Sequence, residues 1–301
     1  MAPRRIAVTG RHGQVARALA EAGEKAGFHI ITAARPDLDL ARPETIAPVL
    51  RSIQPDAIVS AAAYTGVDKA ESEPELAYAI NATGAGQVAA VAAAMGVPLV
   101  HLSTDYVFRG DKPTPYVEDD PVEPLGVYGA SKLAGERTVI AAGPDHVILR
   151  TAWVYSPFGA NFVKTMLRLA ADRDVVRVVA DQWGCPTSAL DVAAAVLRVV
   201  DNLLDAPGKG RLRGVFHFAG RGETSWAGFA TAIFAASRRR GGPSARVESI
   251  STAEYPTAAR RPVRSCLDGR RIGAVHGIVL PDWQLALETC MDRLLEPERT
   301  T

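Results

Sequence analysis

Short apolar runs alternate with longer, alanine-rich stretches through the first half of the chain. Continuous apolar runs are typical of strands buried on both faces, and strands that alternate with helical stretches indicate a parallel sheet. We therefore predict a doubly wound sheet with right-handed crossovers. The predicted strands are 5–9, 28–32, 56–60, 98–103 and 146–150, and the predicted helices are about 15–26, 43–53, 75–96 and 126–142.

The second half of the chain is less regular. After residue 243 the pattern predicts mostly loop, closed by a last helix at about 283–295. The fold class is thus α/β, a doubly wound parallel sheet with a smaller C-terminal α/β region. The other predicted elements of this half are helices at 162–172, 189–204 and 225–237 and strands at 175–180 and 214–218.

Composition and charge narrow the class of protein. The chain has 301 residues, a formal net charge of +1, 48% hydrophobic and only 6% aromatic residues. Such a charge gives no sequence-wide argument for nucleic acid or an acidic membrane surface as partner. No apolar run has membrane-spanning length, no secretory leader is recognised, and three widely spaced cysteines do not form a disulfide framework. We expect a cytoplasmic protein.

A run of three arginines could mark a nucleic-acid patch or the end of a helix. Arg238, Arg239 and Arg240 are followed by Gly-Gly-Pro. Arginine near a helix C-terminus suits the helix dipole, and Gly-Gly-Pro stops a helix. We interpret the run as a solvated helix end rather than a nucleic-acid patch, because no aromatic interleaving accompanies it.

A glycine turn joins the first predicted strand to the first helix. Gly10 and Gly13 stand in the pattern G-x-x-G-x-x-A, which Ala16 completes. Glycines at this place let the backbone approach a pyrophosphate bound at the helix N-terminus, so the turn indicates a Rossmann-type dinucleotide site. After the second strand no acid stands where one often binds a ribose. Arg35 is there instead, which favours NADPH over NADH, although Asp37 and Asp39 nearby leave NADH possible.

The candidate catalytic groups are a phenol, an ammonium and a hydroxyl. Tyr128 and Lys132 are four residues apart in a predicted helix and therefore share a face. A nearby cation stabilises a phenolate, so we expect Lys132 to lower the pKa of Tyr128 and make proton transfer to or from a carbonyl feasible. Thr104 ends the fourth strand, at the sheet edge where ligands bind. We predict that Thr104 and Tyr128 bind the same substrate oxygen.

These motifs resemble a known family. The chain is similar to the extended short-chain dehydrogenases/reductases and, within them, to the dTDP-4-dehydrorhamnose reductases. The resemblance covers almost the whole length. It rests on residues 60–75, 102–108, 124–129, 131–136, 150–155, 161–162, 181–187 and 261–262.

The resemblance implies that NADPH, with NADH as the alternative, reduces the C4 ketone of dTDP-4-dehydro-L-rhamnose. Tyr128 would donate the proton, Lys132 would hold the nicotinamide ribose, and Thr104 would polarise the carbonyl. Residues 1–150 with about 189–220 would bind the cofactor, and 151–188 with about 221–301 the sugar nucleotide. The implied cofactor positions also include Gly10, His12, Gly13, Gln14, Val15, Arg35, Asp39, Leu40, Ala62, Ala63, Thr65 and Ser103, and the substrate positions are Thr104, Asp105, Tyr106, Trp153 and Arg261.

No metal is expected, since Ala18 occupies a position where some relatives have a metal-linking glutamate.

Three alternatives to this function remain open. The first is a reductase for another dTDP-4-keto-6-deoxyhexose, and the second a non-catalytic, cofactor-binding regulatory subunit. The presence of Thr104, Tyr128 and Lys132 together argues against the regulatory subunit. The third is an epimerase or dehydratase, and the Asp-Glu pair of dehydratases is missing. We expect a monomer or homodimer.

Overall fold

The computed structural model describes residues 3–295 and has the predicted alternation of strands and helices. The strands are β1 (Arg4–Thr9), β2 (Phe28–Ala33), β3 (Ala57–Ser60), β4 (Leu99–Thr104), β5 (His146–Thr151), β6 (Val154–Tyr155), β7 (Val175–Val179), β8 (Trp183–Gly184), β9 (Thr187–Ser188), β10 (Gly214–His217), β11 (Thr224–Ser225) and β12 (Arg246–Ile250). The helices are α1 (Gln14–Lys25), α2 (Ile46–Ile53), α3 (Val67–Ala70), α4 (Pro74–Tyr78), α5 (Ala85–Met95), α6 (Val127–Ala142), α7 (Phe162–Asp172), α8 (Ala189–Asp205), α9 (Trp226–Arg239), α10 (Arg270–His276) and α11 (Trp283–Leu295).

Six strands form one parallel sheet in the order β10-β5-β4-β3-β1-β2. The chain runs outward from β1 to β2 and then returns to place β3 on the other side of β1. Such a reversal opens a crevice between the carboxyl ends of β1 and β3. In open α/β sheets, ligands bind in a crevice of this kind. The predicted α/β fold with a doubly wound parallel sheet is confirmed.

The core lies on both faces of this sheet. Alternate strand residues point to opposite faces, so Ile6 and Val8 pack with α1 and α8, whereas Ala7 packs with α2 and α5. These strand residues are fully buried. Burial on both faces explains why the strands read as unbroken apolar runs.

The remaining elements build a second hydrophobic cluster. Helices α7, α9 and α11 pack around the two-stranded parallel pair β7 and β12. Phe229 and Ile233 of α9 are fully buried in it. All elements of this cluster follow β5 in the sequence, and the cluster supplies one wall of the candidate site.

One sequence prediction of secondary structure is wrong, and another needs a refinement. The helix expected over 75–96 is present as a continuous helical segment from Pro74 to Met95, but it contains a π-helical turn at Ala79–Gly84. The region after residue 243 contains strand β12 and helix α10, where mostly loop was predicted. Most of β12 is only partly buried or exposed, so its sequence, Arg-Val-Glu-Ser-Ile, lacks the apolar run of a central strand.

The basic run ends helix α9, as interpreted from the sequence. Arg239 and Arg240 both pair with Glu288 of α11, and Arg240 also pairs with Asp292. The run therefore joins two helices in addition to ending one. Within residues 3–295, no helix is both long and apolar enough to cross a membrane.

Candidate active site

The glycine turn lies at the crevice between β1 and β3. Gly10 has φ +95°, and its N–H donates to the Ala33 carbonyl at 2.7 Å. A Cβ at Gly10 would lie 3.3 Å from that of Ala62, so both the backbone conformation and the close approach favour glycine. Gly13 is the N-cap of α1, and no side chain makes a capping hydrogen bond at this helix N-terminus. The first-turn N–H groups are thus placed to bind an anion.

The side chains around the turn differ in their surroundings. Gln14 donates to the Val154 carbonyl at 3.2 Å and accepts from Ser156 at 2.8 Å and Asn161 at 3.0 Å. This predicted cofactor residue therefore ties α1 to the segment after β6. Val15 packs against the core, whereas His12 is exposed beside the turn.

The residues after β2 form the next part of the crevice. Arg35 is exposed, and none of the ion pairs found within residues 3–295 involves it. Asp39 accepts from the Ala41 N–H at 3.0 Å. Leu40 is buried, and a Cβ at Gly84 would lie 2.4 Å from its carbonyl oxygen. Leu40 thus packs closely against the π-helical turn.

An asparagine in that π-helical turn fixes the loop after β3. Buried Asn81 accepts from the Tyr64 N–H at 2.8 Å and donates to the Tyr64 carbonyl and to Ser131, both at 3.0 Å. Because Ser131 lies in α6, Asn81 links the loop of Ala62, Ala63 and Thr65 to the helix of the candidate acid. Ala62 and Ala63 are half-buried, and Thr65 is exposed.

The structure brings Tyr128 to Thr104. Helix α6 approaches the end of β4 closely, because a Cβ at Gly129 would lie only 2.2 Å from the Tyr106 carbonyl oxygen. The Tyr106 and Tyr128 rings meet edge to face with centroids 5.5 Å apart. The Thr104 hydroxyl accepts from the Tyr106 N–H at 3.2 Å and donates to Asp105 at 3.1 Å. The three hydroxyl-bearing side chains thus converge at the carboxyl edge of the sheet.

The expectation that Lys132 lowers the pKa of Tyr128 is wrong for this structure. Burial raises the pKa of Tyr128 to about 12, although the nearby Thr104 hydroxyl opposes the rise. The Lys132 ammonium instead donates to the Leu102 carbonyl at 2.7 Å and lies 3.4 Å from His101 Nε2. Burial lowers the pKa of Lys132 to about 8, and the Glu136 charge opposes that fall. Both groups are therefore protonated at pH 7.

A buried ion pair lies beneath these groups. Arg150 of β5 donates to both oxygens of Glu136, at 2.9 and 2.7 Å, and both side chains are at most 5% exposed. Ser103, a predicted cofactor residue, donates to the same carboxylate at 2.5 Å. Ser103 is itself buried, so its hydroxyl stabilises the buried ion pair beneath the site.

Asp105 has a partner that the sequence did not indicate. Its Oδ2 accepts from Ser265 at 2.5 Å, while Oδ1 accepts from Thr104. Burial raises the pKa of Asp105 to about 6, and the hydrogen bonds with Ser265 and Thr104 oppose the rise. This carboxylate therefore changes charge close to neutral pH.

The indole of Trp153 stacks on another indole. Its ring lies parallel to that of Trp226, with centroids 3.5 Å apart and planes 7° apart. Both side chains are half-buried. Trp153 follows β5 and Trp226 begins α9, so the pair joins the sheet region to the second hydrophobic cluster.

Arg261 is held by a carboxylate. Its Nη2 donates to Asp68 at 2.7 Å, and Asp68 also accepts from the Ala259 N–H at 3.1 Å. The pair lies near Tyr106, whose pKa is raised by burial and by the Asp105 charge and lowered less by the Arg261 charge. Cys185 is buried with Cys266 in an apolar cluster.

Sequence reasoning missed four contributors to this site: Asn81, Trp226, Ser265 and the partner role of Glu136. Glu136 stands at the i+4 position from Lys132, a spacing that could have indicated it. An asparagine inside a helix was a weak signal for Asn81. No local pattern marked Trp226 or Ser265, because each meets its partner only through the tertiary fold.

Comparison with known proteins gives consistent results. Residues 4–296 match the family model described as the RmlD substrate binding domain. The chain is 51% identical over 280 residues to a dTDP-4-dehydrorhamnose reductase of Sinorhizobium fredii, covering 93% of this chain and 94% of the relative. It is 42% identical to that of Burkholderia thailandensis, covering 97% of this chain and 99% of the relative.

A solved structure shares the fold. The dTDP-4-dehydrorhamnose reductase of Bacillus anthracis, determined in complex with NADP, superposes with a TM-score of 0.88. It is 36% identical in sequence, and the match covers 96% of this chain and 98% of that one. The likeness therefore includes both the sheet and the second hydrophobic cluster.

Proposed function

Because the chain belongs to the dTDP-4-dehydrorhamnose reductase family, we propose that it reduces the C4 ketone of dTDP-4-dehydro-L-rhamnose with NADPH, giving dTDP-L-rhamnose. The observation that carries this proposal is the convergence of Tyr128 and Thr104 at the sheet edge. A protonated phenol and a hydroxyl there can both bind one substrate oxygen. The glycine turn opens on the same edge.

The chain's residues fit a dinucleotide cofactor. Gly10 has a positive φ and lies close to Ala62, and the N-terminus of α1 carries no side-chain cap. We assign the pyrophosphate to this turn with Gly13, Gln14 and Val15. When bound, NADPH supplies the hydride. Adenosine contacts are assigned to Arg35, Asp39 and Leu40, and the cleft wall to Ala62, Ala63 and Thr65, with His12 and Ser103 at its margins.

Proton transfer is assigned to Tyr128. A general acid must be protonated before the reaction, and the raised pKa of Tyr128 keeps it so. Thr104 polarises the carbonyl by turning its hydroxyl from Asp105 toward the substrate oxygen. Lys132, charged and held by the Leu102 carbonyl, binds the nicotinamide ribose.

Substrate binding is assigned to a second group of residues. Asp105, Tyr106 and Trp153 contact the sugar, and Arg261 meets the pyrophosphate. We accordingly propose that residues 1–150 with about 189–220 bind the cofactor and that 151–188 with about 221–301 bind the sugar nucleotide. The reaction belongs in the cytoplasm, where thiols such as those of Cys185, Cys266 and Cys290 stay reduced.

The experiment that tests this function is substrate discrimination. Purified protein should oxidise NADPH when given dTDP-4-dehydro-L-rhamnose, at a kcat/KM well above that for other dTDP-4-keto-6-deoxyhexoses. A higher kcat/KM for another sugar would favour the first alternative. Cofactor binding without turnover of any of these sugars would favour the regulatory subunit.

Arg35→Ala should change cofactor preference. If Arg35 binds the 2′-phosphate, its loss should lower the NADPH/NADH ratio of kcat/KM about tenfold, as expected for one charge-assisted hydrogen bond. Steady-state kinetics with both cofactors measure that ratio. Arg51→Ala, an exposed arginine of α2, is the control and should leave it unchanged. An unchanged ratio in Arg35→Ala would remove Arg35 from the cofactor site.

The Asp105 carboxylate should give an acid limb to the pH profile. Below pH 6 the carboxylate gains a proton, so one oxygen becomes a donor and hydrogen bonds accepted from the sugar weaken. The kcat/KM should therefore fall as pH decreases through about 6. Ser265→Ala removes a hydrogen bond that favours the charged form and should move this limb to higher pH. Asp105→Asn should lack the limb. A limb that persists unchanged in Asp105→Asn belongs to another group.

A further inference from the structure

The side chain of Gln14 is bound by residues that follow β5. Its amide oxygen accepts from Ser156 at 2.8 Å and from Asn161 at 3.0 Å, and its amide nitrogen donates to the Val154 carbonyl at 3.2 Å. A primary amide has two acceptor positions and two N–H donors, so three of its four hydrogen-bonding positions are used. Gln14 is also the first residue of α1, directly after the glycine turn. Residues 154–161 therefore hold the start of this helix.

Asn161 has two roles, one for each end of its amide. Its Oδ1 accepts from the Lys164 N–H at 3.2 Å and thereby caps α7. Its Nδ2 donates to Gln14 and also to the carbonyls of Ser156 and Phe158, at 2.8 and 3.2 Å. The oxygen thus serves α7, whereas the nitrogen serves Gln14 and the loop before α7. A substitution that retains only an oxygen separates these two roles.

Gln14 begins a face of α1 that is fixed to the second hydrophobic cluster. Arg17 and Glu21 follow at i+3 and i+7, and residues with this spacing share a helix face. The Phe158 ring lies between two guanidinium groups, with Arg17 at 4.5 Å and Arg293 at 5.1 Å from its centroid. Arg293 of α11 also donates to both Glu21 oxygens, at 2.8 and 2.7 Å. Of these three α1 residues, Gln14 lies nearest the glycine turn.

We propose that Asn161 is a positioning residue for the pyrophosphate of NADPH. It acts through Gln14, because it holds the residue whose backbone N–H belongs to the first turn of α1. Donors that are fixed before an anion arrives bind it more tightly, since their ordering costs nothing at that moment. A residue that caps a helix of the second hydrophobic cluster thereby sets the affinity for the cofactor. This inference rests on the proposed function, which places the pyrophosphate at this turn.

Fluorescence titration with NADPH, in the absence of substrate, tests the proposal. Asn161→Ser retains a side-chain oxygen suited to an N-cap and removes the donor to Gln14. The Kd for NADPH should rise about three- to tenfold, the effect of one neutral hydrogen bond. Gln14→Ala retains the backbone N–H and should raise the Kd by a similar factor. In the Gln14→Ala background, Asn161→Ser should raise the Kd less than about twofold further.

A comparison of kinetic constants separates positioning from a part in the chemistry. In Asn161→Ser the KM for NADPH should rise with the Kd, whereas kcat at saturating NADPH should change less than about threefold. A bound cofactor repairs a loosely held turn, so the loss is confined to binding.

Two control variants separate positioning from a general loss of stability. Glu21→Ala breaks the contact with Arg293 on the same face of α1, about 10 Å along the helix from Gln14. Ser225→Ala removes the N-cap of α9, where the serine hydroxyl accepts from the Gly228 N–H at 3.1 Å. Both should leave the Kd for NADPH within about twofold. Urea unfolding of each variant shows how far its stability has fallen.

Three outcomes would overturn the proposal: an unchanged Kd in Asn161→Ser, an equal rise in Ser225→Ala, or a full additional rise when Asn161→Ser is made in the Gln14→Ala background. The last would show that Asn161 acts by a route that bypasses Gln14. Failure of the proposed function has a different signature. The unaltered protein would then bind NADPH but reduce none of the dTDP-4-keto sugars, and the binding cycle would still decide the role of Asn161.

Discussion

Tyr128→Phe should lower kcat by about 100-fold or more, the usual loss when a general acid is removed. The substitution deletes one oxygen and retains the ring that meets Tyr106 edge to face. Packing should therefore persist while the proton donor disappears. Stopped-flow or steady-state oxidation of NADPH with dTDP-4-dehydro-L-rhamnose measures kcat, and fluorescence titration measures the Kd for NADPH separately.

Tyr106→Phe is the matched control for this prediction. It removes a phenol oxygen from the neighbouring ring, and kcat should fall less than tenfold, because a binding contact and not the acid is lost. A Tyr128→Phe variant with kcat close to that of the unaltered protein would contradict the assignment of Tyr128 as proton donor.

Arg150→Met should destabilise the protein by about 3 kcal/mol or more, since removal of one partner leaves a buried charge without compensation. Glu136 would retain its hydrogen bond with Ser103 but lose both bonds with the guanidinium. Urea unfolding followed by circular dichroism measures the free energy of unfolding. Substrate turnover should also suffer, because Glu136 acts electrostatically on Lys132.

Arg4→Met provides the comparison for the buried pair. Arg4 pairs with Asp201 at 2.8 Å, but both side chains are 39% exposed. Exposed pairs of this kind contribute under about 1 kcal/mol to stability. If Arg150→Met costs no more than Arg4→Met, the Glu136–Arg150 pair is not the framework that we describe.

Local periodicity was enough to predict most of the sheet and the central pair of the site. The i, i+4 spacing placed Tyr128 and Lys132 on one face of α6, and the apolar run ending at Thr104 placed its hydroxyl at the sheet edge. Strand β12 escaped because its side chains are largely exposed and polar. Its position depends on pairing with β7, which is a property of the tertiary fold.

The surroundings of the site could not be obtained in the same way. Ser265 is 160 residues from Asp105 in sequence, and the hydrogen bond between them exists only after the segment around Ser265 has packed on the end of β4. The pKa of Tyr128 illustrates the same limit. Sequence spacing placed an ammonium four residues from the phenol, but burial dominates the pKa of Tyr128, and the ammonium bonds to the Leu102 carbonyl instead.

The most direct test of the proposed reaction follows the hydride itself. NADPH carrying deuterium at the transferred position of C4 is incubated with the protein and dTDP-4-dehydro-L-rhamnose, and the product is examined by NMR. We predict deuterium bound to C4 of the sugar in the L-rhamno configuration. Deuterium elsewhere, the opposite configuration at C4, or oxidation of the cofactor without labelled sugar would contradict this account.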